Sequence, residues 1–172
     1  NRWMNDKFIE SRCRLSRALH EADPNARYSP ADYWFMSGFV PYDHARLAAC
    51  SDLMELDPYA SSAEKNRGRG VFNHGFGAKF MIDLSGKPVR IIAQAFDYAG
   101  YDMQPEDLRE WVSQAMRCGA SAIDYYEMDS PRWTHPDRWQ MMLHLASVIT
   151  RMNRIALPKD PDTAILYTLY TH

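Results

Sequence analysis

From Trp3 to Ala22 the apolar residues Met4, Phe8, Leu15, Leu19 and Ala22 recur at helical spacing between arginines and acids. The spacing predicts an amphipathic helix, which Asp23-Pro24-Asn25 ends. The aromatic ARYSPADYWF that follows reads as an extended segment near Arg27 to Ala31, edge-like because Pro30 offers no N–H to a ladder. Asp43 is placed to cap a short helix through Leu47 to Cys50, and SDLMELDPYA predicts a strand that stops at Pro58. Residues 61–87 are punctuated by glycines, with a helix expected in the second part, and PVRIIAQAF then predicts a strand that runs into the turn-like DYAGYD. Over 105–118, Pro105 stands at a first helical position with Glu106 and Asp107 in the first turn. Leu108, Trp111, Val112, Ala115 and Met116 make its buried stripe, and Gly119 closes it. ASAIDYYEM is the next strand. Thr134-x-x-Asp137 resembles a capping box for a last helix with the apolar face Trp139, Met142, Leu143, Ala146 and Ile149.

Helices and strands therefore alternate along the chain, joined at Gly-Lys-Pro and Cys-Gly-Ala by short helix-to-strand connections. Alternation of this kind implies an α/β fold with a parallel sheet and helical crossovers. A doubly wound open sheet and part of a (β/α)8 barrel both satisfy it. The strand ends favour the barrel. Asp57 and Tyr59, then Gln94, Phe96 and Asp97, then Tyr126, Glu127 and Asp129 are polar or aromatic where three strands finish, and barrel strands converge there on one face.

Composition narrows the partners. The chain has 172 residues, 46% hydrophobic and 24% charged, with a formal charge of −2, enough for one domain with a sizeable core. This is the profile of a soluble globular chain, without a basic footprint for nucleic acid or an apolar run long enough to span a membrane. Cys13, Cys50 and Cys118 are odd in number and lack CxxC spacing, so they read as buried thiols rather than a disulfide framework. The six histidines show no paired ligand spacing, and there is no GxSxG, GxxxxGK[ST] or post-strand GxGxxG. No metal or cofactor is expected. Asn1 falls inside the first helix and DTAILYTLYTH ends without a turn or cap, so a piece of a longer protein is expected, and the residues do not indicate a compartment.

The run GKPVRIIAQAFDYAG, then PEDLREWVSQAMRCGASAIDYYEMD, then a tryptophan-bearing helix, resembles the last two βα units of TIM-barrel glycoside hydrolases, nearest to their β-galactosidase-like groups. EADPNARYSP looks like their fourth helix and fifth strand, and SDLMELDPYA like their sixth strand, with Asp57 and Tyr59 in its D-x-Y ending. The resemblance implies the C-terminal half of a (β/α)8 barrel over 1–157, about strands five to eight, with 158–172 starting a following domain or closing strand. It implies hydrolysis of O-glycosidic bonds by paired carboxylates, on a carbohydrate substrate. The partner expected besides substrate is the remainder of its own barrel, or a second copy in a homo-oligomer. The family's glutamate at the end of the seventh strand has no counterpart here, where the sequence reads Ala93-Gln94-Ala95-Phe96. A catalytically inactive carbohydrate-binding barrel and an open-sheet α/β binding module therefore stay as alternatives.

Strand parity sorts the acids. If Gln94 and Phe96 face the barrel interior, so does Arg90, and the matching sets are Glu55, Asp57 and Tyr59 in one neighbour and Asp124 and Tyr126 in the other. Glu55, Arg90 and Asp124 are expected to form one charged layer, because an unpaired acid inside a barrel costs several kcal/mol. Glu127 and Asp97 are the candidate catalytic carboxyls, since neighbouring strand ends can give the separation of about 5–9.5 Å that glycoside hydrolysis needs. Tyr98, Tyr101, Trp133 and the Tyr125-Tyr126 pair are candidates for stacking on sugar rings, with Asp57, Tyr59, Gln94, Phe96 and Asp129 around them.

Overall fold

The computed structural model describes residues 2–32, 43–59, 72–97, 101–127 and 134–152. Within them the elements run α1 (Arg2–Ala22), β1 (Ala31–Asp32), α2 (His44–Ala48), β2 (Met54–Leu56), α3 (Asn73–Ser85), β3 (Val89–Gln94), α4 (Pro105–Arg117), β4 (Ala122–Tyr126) and α5 (Pro136–Ile149). The four strands form one sheet in the order β1-β2-β3-β4, and every neighbouring pair is parallel. Each strand thus pairs with the next in sequence through a helical crossover. That is the wiring of consecutive units of a (β/α)8 barrel, whereas a doubly wound sheet reverses its strand order at a switch point.

The sheet is apolar on one face only. Met54, Leu56, Val89, Ile91 and Ala93 are fully buried against the helices, with Ala78 and Met81 of α3 and Ala115 of α4 in the same core. A second cluster joins Ala93 and Ala95 to Leu108 and Val112 of α4 and to Met142 and Leu145 of α5. The opposite face carries Glu55, Arg90 and Asp124. Arg90 Nη1 lies 3.2 Å from Glu55 Oε2 and 3.2 Å from Asp124 Oδ2, so one guanidinium ties three strands together. The charged layer expected from parity is present.

Local chemistry explains most boundaries. Asp43 caps α2 by accepting from Arg46 N at 3.0 Å, as its position predicts. Asp107 closes the first turn of α4 by accepting from Gln104 N at 2.9 Å. Gly86 ends α3 at φ 64°, a left-handed conformation that a side chain opposes. Among the described residues the first two pairings are short: the extended segment near Arg27 to Ala31 enters the ladder at Ala31–Asp32, and the segment 51–59 at Met54–Leu56. Pro30 and Pro58 flank those short pairings, and neither can donate to a ladder.

Three expectations are corrected. In α1 Met4 and Leu15 of the expected stripe are turned outward, at 56% and 51% exposure, whereas Phe8 packs against the core and Ile9 and Ser16 are the buried residues. Polar tethers choose that face: Asn5 Oδ1 accepts from Asp43 N at 3.2 Å, Asp6 pairs with Arg46, and His20 Nε2 lies 2.9 Å from Asp52 Oδ2. On the same face Cys13 and Cys50 form a disulfide with Cα atoms 5.2 Å apart, so two of the expected thiols are oxidised and only Cys118 is free. The helix-to-helix contact brings together cysteines that sequence spacing leaves far apart. The last helix starts at Pro136 with His135 as its N-cap, one residue later than a Thr134 cap places it, and His135 makes no side-chain capping bond. Its buried face is Arg138, Met142 and Leu145, while Leu143 stays 47% exposed. Arg138 turns the helix, because its guanidinium is held by two acids.

Candidate functional site

The site is built where β2, β3 and β4 end. Tyr59, three residues past β2, meets Phe96 edge-on with centroids 5.2 Å apart, and Phe96 meets Tyr126 edge-on at 5.5 Å. Tyr59 and Tyr126 complete the triangle at 6.1 Å. Three consecutive strands thus deliver one aromatic ring each to a common cluster, in the offset and edge geometries that aromatic quadrupoles favour. Phe96 is buried at 3% exposure, and Tyr126 presents 49% of its surface to solvent. The cluster has a closed base and an open lip.

Polar groups surround it unevenly. Gln94, fully buried, turns its Nε2 to donate to Phe96 O at 2.9 Å, which fixes the backbone at the end of β3. Asp57 is half-buried beside β2, and Glu127 is exposed directly after Tyr126. Asp97 Oδ1 accepts from Met103 N at 3.0 Å and lies 2.9 Å from Arg138 Nη2. Tyr125, on the helix side of β4, has its phenol pushed up to about 12 by burial, so it stays protonated at neutral pH.

Of the residues singled out in the sequence, Tyr59, Phe96 and Tyr126 are in direct contact, and Asp57, Gln94, Asp97 and Glu127 flank them on the same strand ends. Tyr98, Asp129 and Trp133 lie outside the described residues, as does 158–172. Sequence reading missed Arg138. An arginine in the first turn of a helix looks like a solvated surface residue, and its signal was that it breaks the apolar stripe next to Trp139. Among the described residues no group of three or more His, Cys, Asp or Glu side chains could hold a metal ion, and no helix is long and apolar enough to cross a membrane.

No family model and no curated protein matches this sequence. Among solved structures the fold is similar to the X-ray structure of the endo-β-1,4-mannanase from Thermotoga petrophila, with a TM-score of 0.64 and 11% sequence identity. The likeness covers 86% of this chain and 41% of that chain, so the chain spans less than half the length of the structure it resembles. At that identity the likeness establishes the fold alone. The chain has the fold of consecutive β/α units of a TIM barrel.

Proposed function

We propose that this chain supplies strands five to eight of a (β/α)8 glycoside hydrolase, and that Tyr59, Phe96 and Tyr126 form the floor and lip of a sugar-binding site. The observation that carries the reading is the contact of those three rings at the C-terminal ends of three consecutive parallel strands. Barrel enzymes place their chemistry at that end. A pyranose face packs on an aromatic ring, while Asp57 and Glu127 at the rim accept hydrogen bonds from its hydroxyls. The β-1,4 specificity in the name of the structural neighbour makes a β-1,4-linked manno-oligosaccharide the first probe. The narrower likeness to β-galactosidase-like enzymes rests on the sequence resemblance and makes galactosides the second probe.

Glu127 and Asp97 enter the proposal as the carboxyl pair, with unequal support. Glu127 is exposed beside the lip, whereas Asp97 has Oδ1 engaged by Met103 N and Arg138 and offers Oδ2 alone. A second reading, a sugar-binding barrel without turnover, is favoured by the run Ala93-Gln94-Ala95-Phe96, which has no glutamate where the family carries one and where Gln94 Nε2 is taken up by Phe96 O. Titration calorimetry with mannohexaose and a reducing-sugar assay separate the two. Tyr126→Ala should weaken binding about tenfold, ~1.4 kcal/mol, at unchanged stability. If Glu127→Gln in the complete barrel abolishes turnover and keeps binding, the hydrolase reading stands; binding without turnover in the complete barrel supports the second reading. Absence of binding to mannohexaose and galactosides alike defeats both.

A further inference from the structure

Arg138 is the most deeply buried charged side chain described at this end of the fold, at 3% exposure, and it lies in the first turn of α5. Its Nη2 is 2.9 Å from Asp97 Oδ1 and 2.8 Å from Asp102 Oδ1. Asp97 follows directly on Phe96, and Asp102 lies on the same β3–α4 connection, just ahead of the buried Met103. Met103 N donates to the Asp97 oxygen that faces Arg138, so guanidinium, carboxylate and backbone amide close one circuit across the connection. A buried cation is retained where its hydrogen bonds are satisfied, and a planar guanidinium can serve two acids at once, which an ammonium on a flexible stem does less well.

We infer that Arg138 is the positioning residue of the candidate site: it clamps Asp97 and Asp102, and through them sets the height of Phe96 against Tyr59 and Tyr126. Without the guanidinium, two carboxylates would face each other on one short connection and drive it outward, carrying Phe96 away from Tyr59 and Tyr126. Arg138 touches no substrate in this scheme. Its part in sugar binding rests on the function proposed above, whereas its hold on the rim does not.

The test uses Arg138→Met, Arg138→Lys and Asp102→Asn in the full chain. Hydrogen exchange at Met103 N and the Phe96–Tyr126 ring NOE are read by NMR, with Val112 exchange as the control for folding and mannohexaose affinity measured separately. Arg138→Met should speed Met103 exchange about tenfold with Val112 unchanged, weaken the ring NOE and lower affinity about fivefold. Arg138→Lys, which keeps the charge without the planar fork, should recover only part of the lost affinity, a rescue that a filler of space would not give. If Arg138→Met does not fold, Asp102→Asn carries the test, because Asp102 is 76% exposed at its side chain and its replacement leaves the core intact. Unchanged Met103 exchange in the folded variants overturns the clamp. Faster exchange with an unaltered NOE overturns the positioning of Phe96. If the unaltered chain binds neither mannohexaose nor galactosides, the sugar reading falls and the two NMR readouts still decide the clamp.

Discussion

His74 gives the sharpest stability prediction. It is fully buried on α3, its ring stacked on Trp111 of α4 with centroids 5.2 Å apart and planes 5° from parallel. Neither ring nitrogen has a hydrogen-bond partner in the structure. Burial disfavours the imidazolium and lowers the pKa from 6.5 to about 3. The unfolded chain binds this proton near its ordinary value, whereas the folded chain refuses it until much lower pH. The contribution is therefore intact above pH 6.5 and is lost progressively as pH falls towards 3. At pH 5 the loss is about 2 kcal/mol, and it approaches about 5 kcal/mol when the whole shift is realised. His74→Phe keeps a ring on Trp111 and has nothing to protonate. Urea unfolding of parent and variant at pH 7.5 and pH 5 isolates the effect, since the carboxylates titrate alike in both and cancel. The variant should gain about 2 kcal/mol on the parent between the two pH values. Equal pH dependence in the two proteins would refute the claim that His74 is buried neutral and unpaired.

Other perturbations have equally direct readouts. Arg90→Leu removes the cation shared by Glu55 and Asp124 and should cost about 1–2 kcal/mol in urea unfolding, the modest figure reflecting the partial exposure of Arg90 and Asp124; a cost no larger than that of an exposed substitution would dissolve the charged layer. Reducing Cys13–Cys50, whose partners are 37 residues apart, should lower stability by about 3–4 kcal/mol on loop entropy. Double substitution of both cysteines with serine should reproduce most of that change in the thermal midpoint. Gly86→Ala should cost about 1 kcal/mol from φ alone, because an added Cβ there meets nothing within 4 Å; a neutral result in chemical denaturation would show that the α3–β3 turn relaxes.

The sequence disclosed the fold where a single periodicity was strong. Val89–Gln94 and Pro105–Arg117 lie where β-branched alternation, N-terminal acids and a closing glycine put them. Parity also foresaw the meeting of Glu55, Arg90 and Asp124, because side chains on alternate positions of paired parallel strands share a face. What stayed hidden depended on contacts between distant segments. The apolar stripe of α1 was real, but Asn5, Asp6, Cys13 and His20 anchor the other face to α2 and its flanks, and no local pattern reports such partners. Arg138 misled for the same reason, since its acids come from the connection ahead of α4. Within the site, the aromatic contacts followed from where strands end. The engagement of Asp97 did not, because it requires a helix two elements away.

The Arg90 pairing has a consequence for how the sheet chooses its alignment. Strand β3 reads Val-Arg-Ile-Ile-Ala-Gln, and its apolar content alone tolerates sliding, since Ile91 and Ile92 are interchangeable to a hydrophobic layer. Sliding by one position would carry Arg90 to the side now occupied by Val89 and Ile91, among Met54, Leu56 and Ala78, and would leave Glu55 and Asp124 on the other face without their shared cation. The guanidinium is thus a registration pin. It holds β2, β3 and β4 in phase, and so brings Tyr59, Phe96 and Tyr126 to the same end of the sheet.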